Sequence, residues 1–177
     1  MGEAPTRTER VLDPGFSEGL EKLSLADLRE RRDEALAERE FASYLRRVIQ
    51  VRQDIVRAEL RRRARGEEPG SFIDNLTEVL SEGPQRGPGR GEALPLGPSS
   101  EDMDEAERRA DAATGGVRLS DLQSLPEADL DRALESLTQE ERAVSASRAG
   151  VLRVHDRFQD EIKRRYREDP SLIPTTI

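Results

Sequence analysis

Residues 24–65 contain neither proline nor glycine, so nothing in this stretch would interrupt an α-helix. About forty residues in one helix extend roughly 60 Å. The apolar residues recur at the spacing of a single helix face, which leaves a narrow stripe. They are Leu28, Leu36, Leu45, Val48, Ile49, Ile55, Val56 and Leu60. A long helix with such a stripe needs a second helix to cover it, so the stretch predicts a helical pair.

The second helix of the pair is predicted after Pro126 and Glu127, because proline is tolerated in the first helical turn and glutamate completes a capping box. Pro170 marks its end. A further capping box from Thr138 to Glu141 indicates a break within the region. Four apolar residues recur every seven positions, as in a coiled-coil seam. They are Leu137, Val144, Val151 and Phe158.

The remaining segments are rich in glycine, proline and charge. Twelve glycine and proline residues fall between positions 66 and 100, which predicts a long, largely irregular linker. The predicted fold is therefore all-α, an antiparallel two-helix coiled-coil hairpin. Its parts are a flexible arm at 1–20, a first helix at 21–65, a linker at 66–118, a second helical region at 119–169 and a tail at 170–177. The linker is expected to carry a short helix near 72–81 and a charged patch at 101–113 that can form a helix.

Composition narrows the classes of function. The net charge of −8 disfavours direct DNA binding, which needs clustered positive charge. The absence of cysteine excludes disulfide scaffolds and thiol catalysis, and it fits a reducing compartment, so we expect a cytoplasmic protein. No apolar run is long enough to span a membrane. His155 is the only histidine and lies in a charged helix, which is typical of a surface residue, so we predict no enzyme.

The two helical regions are copies of one pattern. Shifting residues 23–65 by 102 positions aligns them without a gap on residues 125–167, with twelve identities in 43 positions. A polar strip recurs at the same place in both copies, and steps of three and four put each strip on one helix face. The strips are Ser43, Arg46, Gln50 and Asp54 in the first copy, and Glu141, Ser145, Arg148 and Asp156 in the second.

Two interpretations of these strips stay open. A solvated helix face with ion pairs along it is the common meaning of such a pattern, and it would indicate a structural coiled-coil or scaffold protein without a small-molecule ligand. Against this interpretation, serine has only an intermediate helix propensity and yet recurs at the same place in both strips. Gly150 also lies in mid-helix, at a cost of about 1 kcal/mol relative to alanine. We expect its missing side chain to leave room for a bulky planar ligand.

A guanine dinucleotide suits strips of this chemistry. Arginine binds the O6/N7 edge of guanine and phosphate oxygens in bidentate fashion, and carboxylates accept from the guanine N1–H and N2–H groups. Arg46 and Asp54 are eight residues apart, or roughly 12 Å of helix, which is comparable to a dinucleotide. Antiparallel packing would relate the two strips by a near twofold axis, and cyclic di-GMP is itself twofold symmetric.

The duplicated motif resembles that of the RsiG family, anti-sigma factors of actinobacteria that hold the sporulation sigma factor WhiG when they carry cyclic di-GMP. The family signature is Glu-x3-Ser-x2-Arg-x3-Gln-x3-Asp, once on each helix of an antiparallel coiled coil. The resemblance covers about 85 residues in two blocks. The first copy departs from it at Arg39, where the glutamate belongs, with Glu40 one position later. The second departs at Leu152, where the glutamine belongs.

The resemblance implies that the two strips bind cyclic di-GMP, with two nucleotide molecules per hairpin. Glu40, one position after the expected glutamate, is a further candidate binding residue. The resemblance also implies that a WhiG-like sigma factor is the partner. Because of the two departures, the two half-sites are not expected to be equivalent. A scaffold protein without a nucleotide ligand is the alternative.

Overall fold

The structure is a computed structural model, and it describes residues 5–67 and 97–173. All regular structure within these residues is helical, which confirms the predicted all-α class. The helix predicted near 72–81 lies outside the described residues. The α-helices of the described residues are Arg7–Leu12 (α1), Leu25–Ala64 (α2), Ser100–Ala113 (α3) and Glu127–Glu168 (α4). Short 3-10 segments are Pro14–Phe16, Leu20–Lys22, Leu119–Ser124 and Pro170–Leu172.

The first long helix begins at Leu25, four residues after the predicted start at 21. The Ser24 hydroxyl accepts a hydrogen bond from the Asp27 N–H at 3.1 Å, and this cap starts α2. α4 begins directly after Pro126. The predicted break at Thr138 is wrong, because α4 continues through it. The Thr138 hydroxyl donates to the Leu134 carbonyl at 2.7 Å, so it is satisfied within the helix and does not cap a new one.

The described residues form two compact units. Unit 1 contains residues 5–43 and 144–173, and unit 2 contains residues 44–67 and 97–143. α2 and α4 each contribute one segment to each unit. The two long helices pack against each other, as predicted.

In unit 1 the N-terminal part of α2 packs against the C-terminal part of α4. Leu28 forms a buried cluster with Phe158 and Ile162, and Ala35 packs against Val151. Rising residue numbers on α2 therefore meet falling numbers on α4, so the two segments run antiparallel.

Unit 2 repeats this arrangement with the other halves of the helices. The Gln53 amide donates to the Thr138 hydroxyl at 3.4 Å, and Arg63 donates to the Leu125 carbonyl at 2.7 Å, which again makes the segments antiparallel. Its apolar core includes Leu45, Ile49, Val56, Leu130 and Leu137, all fully buried. The heptad residues predicted on α4 are likewise all buried.

The expectation of a flexible arm over residues 1–20 is wrong for the part that the structure describes. In α1 the Val11 side chain is fully buried beside Val151. The Phe16 ring meets the Phe158 ring edge to face, with centroids 5.7 Å apart. Tertiary contacts hold this segment, because a helix of six residues is too short to be stable alone.

Within the predicted linker over residues 66–118, the charged patch at 101–113 is helical, as expected, and it forms the packed helix α3. α3 lies in unit 2 and buries Ala106 and Ala110. Its N-terminus is capped by the Ser99 hydroxyl, which accepts from the Asp102 N–H at 3.1 Å. Residues 100–113 of the predicted linker are therefore helical.

Corresponding glutamates of the repeat hold α1 and α3. In unit 1 Arg7 Nε donates to Glu38 at 2.7 Å, and in unit 2 Arg109 Nε donates to Glu140 at 2.6 Å. Both arginines and both glutamates are 102 positions apart. The repeat therefore begins upstream of residue 23 and includes the short helix that precedes each long one.

An arginine near the end of each long helix holds the turn before the other one. In unit 1 Arg165 donates to the carbonyl oxygens of Leu23 at 2.6 Å and Glu21 at 3.0 Å. In unit 2 Arg63, its counterpart in the repeat, donates to Leu125 and Leu122, both at 2.7 Å. These charge-assisted bonds satisfy carbonyl groups of the 3-10 turns.

We predict that Glu161 makes the stability of unit 1 sensitive to acid. Hydrogen bonds from Arg164 and then Arg165 lower the pKa of Glu161 from 4.5 to about 2. A carboxyl group with a depressed pKa stabilises the fold above its unfolded pKa, and this contribution is lost as the pH falls from 4.5 towards 2. Thermal melts at pH 7 and pH 3 should show a smaller difference in Tm for Glu161→Gln than for the native chain. Asp160→Asn is the control, because Asp160 is 76% exposed; an equal effect in both variants would contradict the prediction.

Candidate ligand-binding site

The motif strip and the short helices occupy different sides of α2. Glu38 binds α1, and Arg52 forms an ion pair with Glu107 of α3 at 2.7 Å. At about 100° per residue, these positions lie roughly 120–160° around α2 from the centre of the strip. The strip residues on α2 are Ser43, Arg46, Gln50 and Asp54. The side of α2 that bears the motif is therefore not the side to which α1 and α3 attach.

In unit 2 the two copies of the motif meet through an ion pair. Arg46 Nε donates to Glu141 Oε1 at 2.7 Å, and the two side chains are 40% and 19% exposed. One turn further along α2, the half-buried Gln50 amide makes no hydrogen bond to any described residue. This part of the strip thus contains a cation, a carboxylate and an open amide.

In unit 1 the contact between the copies has a different chemistry. Arg148 Nε donates to the Ser43 hydroxyl at 2.9 Å, and that hydroxyl donates to the Arg39 carbonyl at 2.7 Å. The Arg39 guanidinium is paired with Glu40 at 2.8 Å. Within residues 5–67 and 97–173, no carboxylate lies within 4 Å of Arg148. Ser145 is half-buried nearly one turn before Arg148 on α4.

The two aspartates at the ends of the strips lie at the surface. Asp54 is 52% exposed and pairs with Arg57 at 3.1 Å on the same helix. Asp156 is 59% exposed, and its Oδ1 lies 3.1 Å from His155 Nδ1. The His155 side chain is partly buried, with 14% of it exposed. Both carboxylates are accessible to hydrogen-bond donors from solution.

The space beside Gly150 is not available to a ligand, contrary to the expectation from the sequence. A Cβ atom at Gly150 would lie 2.7 Å from Cδ2 of Leu12. The glycine therefore permits the close approach of the side chain at the end of α1. The sequence offered no signal for this contact, because the two residues lie 138 positions apart.

The fold and the strips together define a class of protein in which two long antiparallel helices bear a duplicated polar motif. Residues 14–80 match the model of a family described as RsiG-like, which confirms the resemblance. The match includes the first motif copy at 43–54, whereas the second copy at 141–156 depends on the internal repeat. No curated protein matches the sequence.

The RsiG-like family is regulatory, of the anti-sigma type, and is not a family of enzymes. The match fits an anti-sigma role in broad terms and suggests a sigma factor as the partner. None of the helices among the described residues has the length and apolar character needed to cross a membrane.

Proposed function

We propose that this chain is an anti-sigma factor that binds cyclic di-GMP on the duplicated strips of its two antiparallel helices and in that state sequesters a WhiG-type sporulation sigma factor. One observation carries the proposal. In unit 2 Arg46 contacts Glu141, and in unit 1 Arg148 contacts Ser43, so each contact joins a residue of one motif copy to a residue of the other. The repeated side chains approach each other within each unit, as a shared ligand would require.

The groups on the strips fit the hydrogen-bonding edges of cyclic di-GMP. Arginine donors suit guanine O6 and N7 and the phosphodiester oxygens. The exposed carboxylates of Asp54 and Asp156 can accept from guanine N1–H and N2–H groups, and the Gln50 amide has both a donor and an acceptor free. We propose two nucleotide molecules per chain.

Nucleotide binding would change the charge of the surface that meets the sigma factor. Each cyclic di-GMP brings two phosphodiester charges, and its bases add planar apolar area to a helix face that is otherwise polar. A sigma factor that contacts both the helices and the bound nucleotide would bind only the loaded form, which makes cyclic di-GMP the switch.

The alternative is a structural coiled-coil protein whose strips are solvated helix faces. The pair between Asp54 and Arg57 is the kind of intrahelical contact that this alternative expects. It predicts no small-molecule ligand and no dependence of any partner on a nucleotide.

Gel filtration distinguishes the two functions. The purified chain is run with a WhiG-type sigma factor, with and without cyclic di-GMP. We expect a complex only in the presence of the nucleotide. The chain has no tryptophan and two tyrosines, so guanine absorbance that co-elutes with it is readily seen. A chain that elutes free of guanine and apart from the sigma factor under all conditions would contradict the proposal.

A further inference from the structure

Helix α3 is anchored in unit 2 by less apolar surface than α1 is in unit 1. The side chains that α3 fully buries are those of two alanines, Ala106 and Ala110. α1 buries Val11, and the chain that follows it adds the packing of Phe16 on Phe158. An alanine removes little apolar area from water, so hydrophobic burial contributes little to holding α3 in place.

Charged groups attach α3 to both long helices. Arg52 on α2 donates from Nη2 to Glu107 at 2.7 Å. Arg109 of α3 donates from Nε to Glu140 on α4 at 2.6 Å. At about 100° per residue, Glu107 and Asp111 lie on one side of the buried alanines of α3, and Arg109 lies on the other. α3 thus fills a groove between α2 and α4, with a cation on the α2 side and a carboxylate on the α4 side.

Arg52 is a buried cation that α3 satisfies only in part. Its side chain is 7% exposed, and its Nη1 atom makes no hydrogen bond within the described residues. Asp111 Oδ1 lies 2.7 Å from Nη1, but without the alignment of a hydrogen bond. A buried donor without an aligned acceptor costs free energy. A carboxylate that aligned with Nη1 would therefore bind this groove better than Asp111 does.

The chain can release α3 from the rest of unit 2 at a single turn. Gly115 and Gly116 follow α3 with φ angles of 65° and 85°, which glycine adopts without strain. Beyond them, Arg63 holds the 3-10 segment Leu119–Ser124 by donating to the Leu122 carbonyl at 2.7 Å. Departure of α3 would therefore change the backbone at the two glycines and leave the start of α4 anchored.

We infer that α3 covers a docking groove of unit 2 and that a helix of the sigma factor displaces it. The groove fits an amphipathic helix with small residues at its centre and two carboxylates four positions apart. α3 itself presents this pattern, and the buried Arg52 requires a carboxylate from any occupant. This inference rests on the proposed sigma-factor partner. It makes α3 an autoinhibitory segment, because the partner must first remove it.

Two variants separate displacement from a purely structural role of α3. The double variant Glu107→Gln with Asp111→Asn removes the contacts of α3 to Arg52 and leaves the groove unchanged. Its affinity for the sigma factor, measured by calorimetry with cyclic di-GMP present, should rise about threefold to tenfold, as the loss of two exposed ion pairs allows.

Arg52→Gln should have the opposite effect on the same affinity. It also loosens α3, but it removes the cation that the carboxylates of the partner need, so the affinity should fall about tenfold or more. If α3 only stabilises unit 2, this variant and the double variant should change the affinity in the same direction or not at all, and the inference would be wrong.

Asp104→Asn with Glu105→Gln is the matched control. It removes the same two charges from exposed positions of α3, and neither residue is an ion-pair partner of Arg52. Its affinity for the sigma factor should equal that of the native chain. Circular dichroism of each variant checks that the long helices remain.

Hydrogen exchange follows α3 directly. Binding of the sigma factor to the native chain should speed the exchange of the amides of residues 100–113 about tenfold or more, because a released helix of 14 residues is only marginally stable. A complex in which this exchange slows or stays the same would overturn the inference alone. If the native chain forms no complex with the sigma factor in the presence of cyclic di-GMP, the proposed function fails, and this inference fails with it.

Discussion

Arg46→Ala and Arg148→Ala are each expected to weaken the binding of cyclic di-GMP at least about 100-fold without unfolding the chain. A hydrogen bond to a charged group contributes about 1.5–3 kcal/mol, and a bidentate contact makes two of them. A 100-fold loss corresponds to about 2.8 kcal/mol, so losing one such contact is sufficient. Removing Arg46 also takes this partner away from the Glu141 carboxylate, which is 19% exposed. The negative charge of Glu141 would then repel an anionic ligand.

The fold should survive both substitutions. Arg46 is 40% exposed, and an ion pair of that kind contributes about 1 kcal/mol or less to stability. Arg47→Ala is the matched control for Arg46, since Arg47 is the next residue of α2 and is exposed. Calorimetry measures the affinities, and thermal melts measure the stability. Equal affinity in Arg46→Ala, Arg148→Ala and the native chain would mean that the strips are ordinary solvated helix faces.

The long helices and their seam could be predicted from the sequence because their signals are local and repeated. The stretch over 24–65 has no helix breaker, and Val151 and Phe158 belong to a heptad pattern. Pro126 precedes the first residue of α4, as predicted. Each of these signals depends on neighbours a few positions away, which a single sequence displays directly.

The packing of the short helices could not be predicted in the same way. α1 has six residues, and Val11 is its only buried side chain, so it has no period to detect. α3 buries only alanines, Ala106 and Ala110, which do not stand out in a sequence rich in alanine and charge. Upstream of residue 23, five residues are identical to their counterparts 102 positions later, namely Met1, Glu3, Ala4, Arg7 and Leu20. Tertiary contacts specify the short helices, and these identities alone do not show where the segments pack.

The candidate site could be predicted as two sets of residues but not as a set of contacts. Helical periodicity shows that Ser43 and Arg46 share a face. It does not show that Arg148 bonds to the serine of the other copy, while Arg46 bonds to Glu141. The choice depends on how far the two helices are shifted along each other, which only packing determines. The expectation of space for a ligand at Gly150 is wrong for the same reason, because a distant part of the chain fills that space.

Phe158→Ala is expected to lower the free energy of unfolding by about 3–5 kcal/mol, the largest effect of any single substitution in unit 1. The Phe158 ring is fully buried against Leu28 and Ile162. It also holds the N-terminal segment, because Phe16 packs on it edge to face at 5.7 Å, a geometry that adds about 0.5–1.5 kcal/mol. Removing the ring therefore opens a cavity and removes the surface on which Phe16 lies.

Urea unfolding followed by circular dichroism measures this loss, and two variants calibrate it. Val56→Ala changes the counterpart of Phe158 in unit 2 and removes only two methyl groups, worth roughly 1.6 kcal/mol of transfer free energy. Ile173→Ala changes a side chain that is 51% exposed and should have almost no effect. Limited proteolysis should cleave Phe158→Ala faster than Val56→Ala between α1 and α2, because only the former loses the contact with Phe16. A loss in Phe158→Ala no larger than that in Val56→Ala would show that the surrounding side chains collapse into the space, and that Phe158 is not the residue on which the N-terminal segment depends.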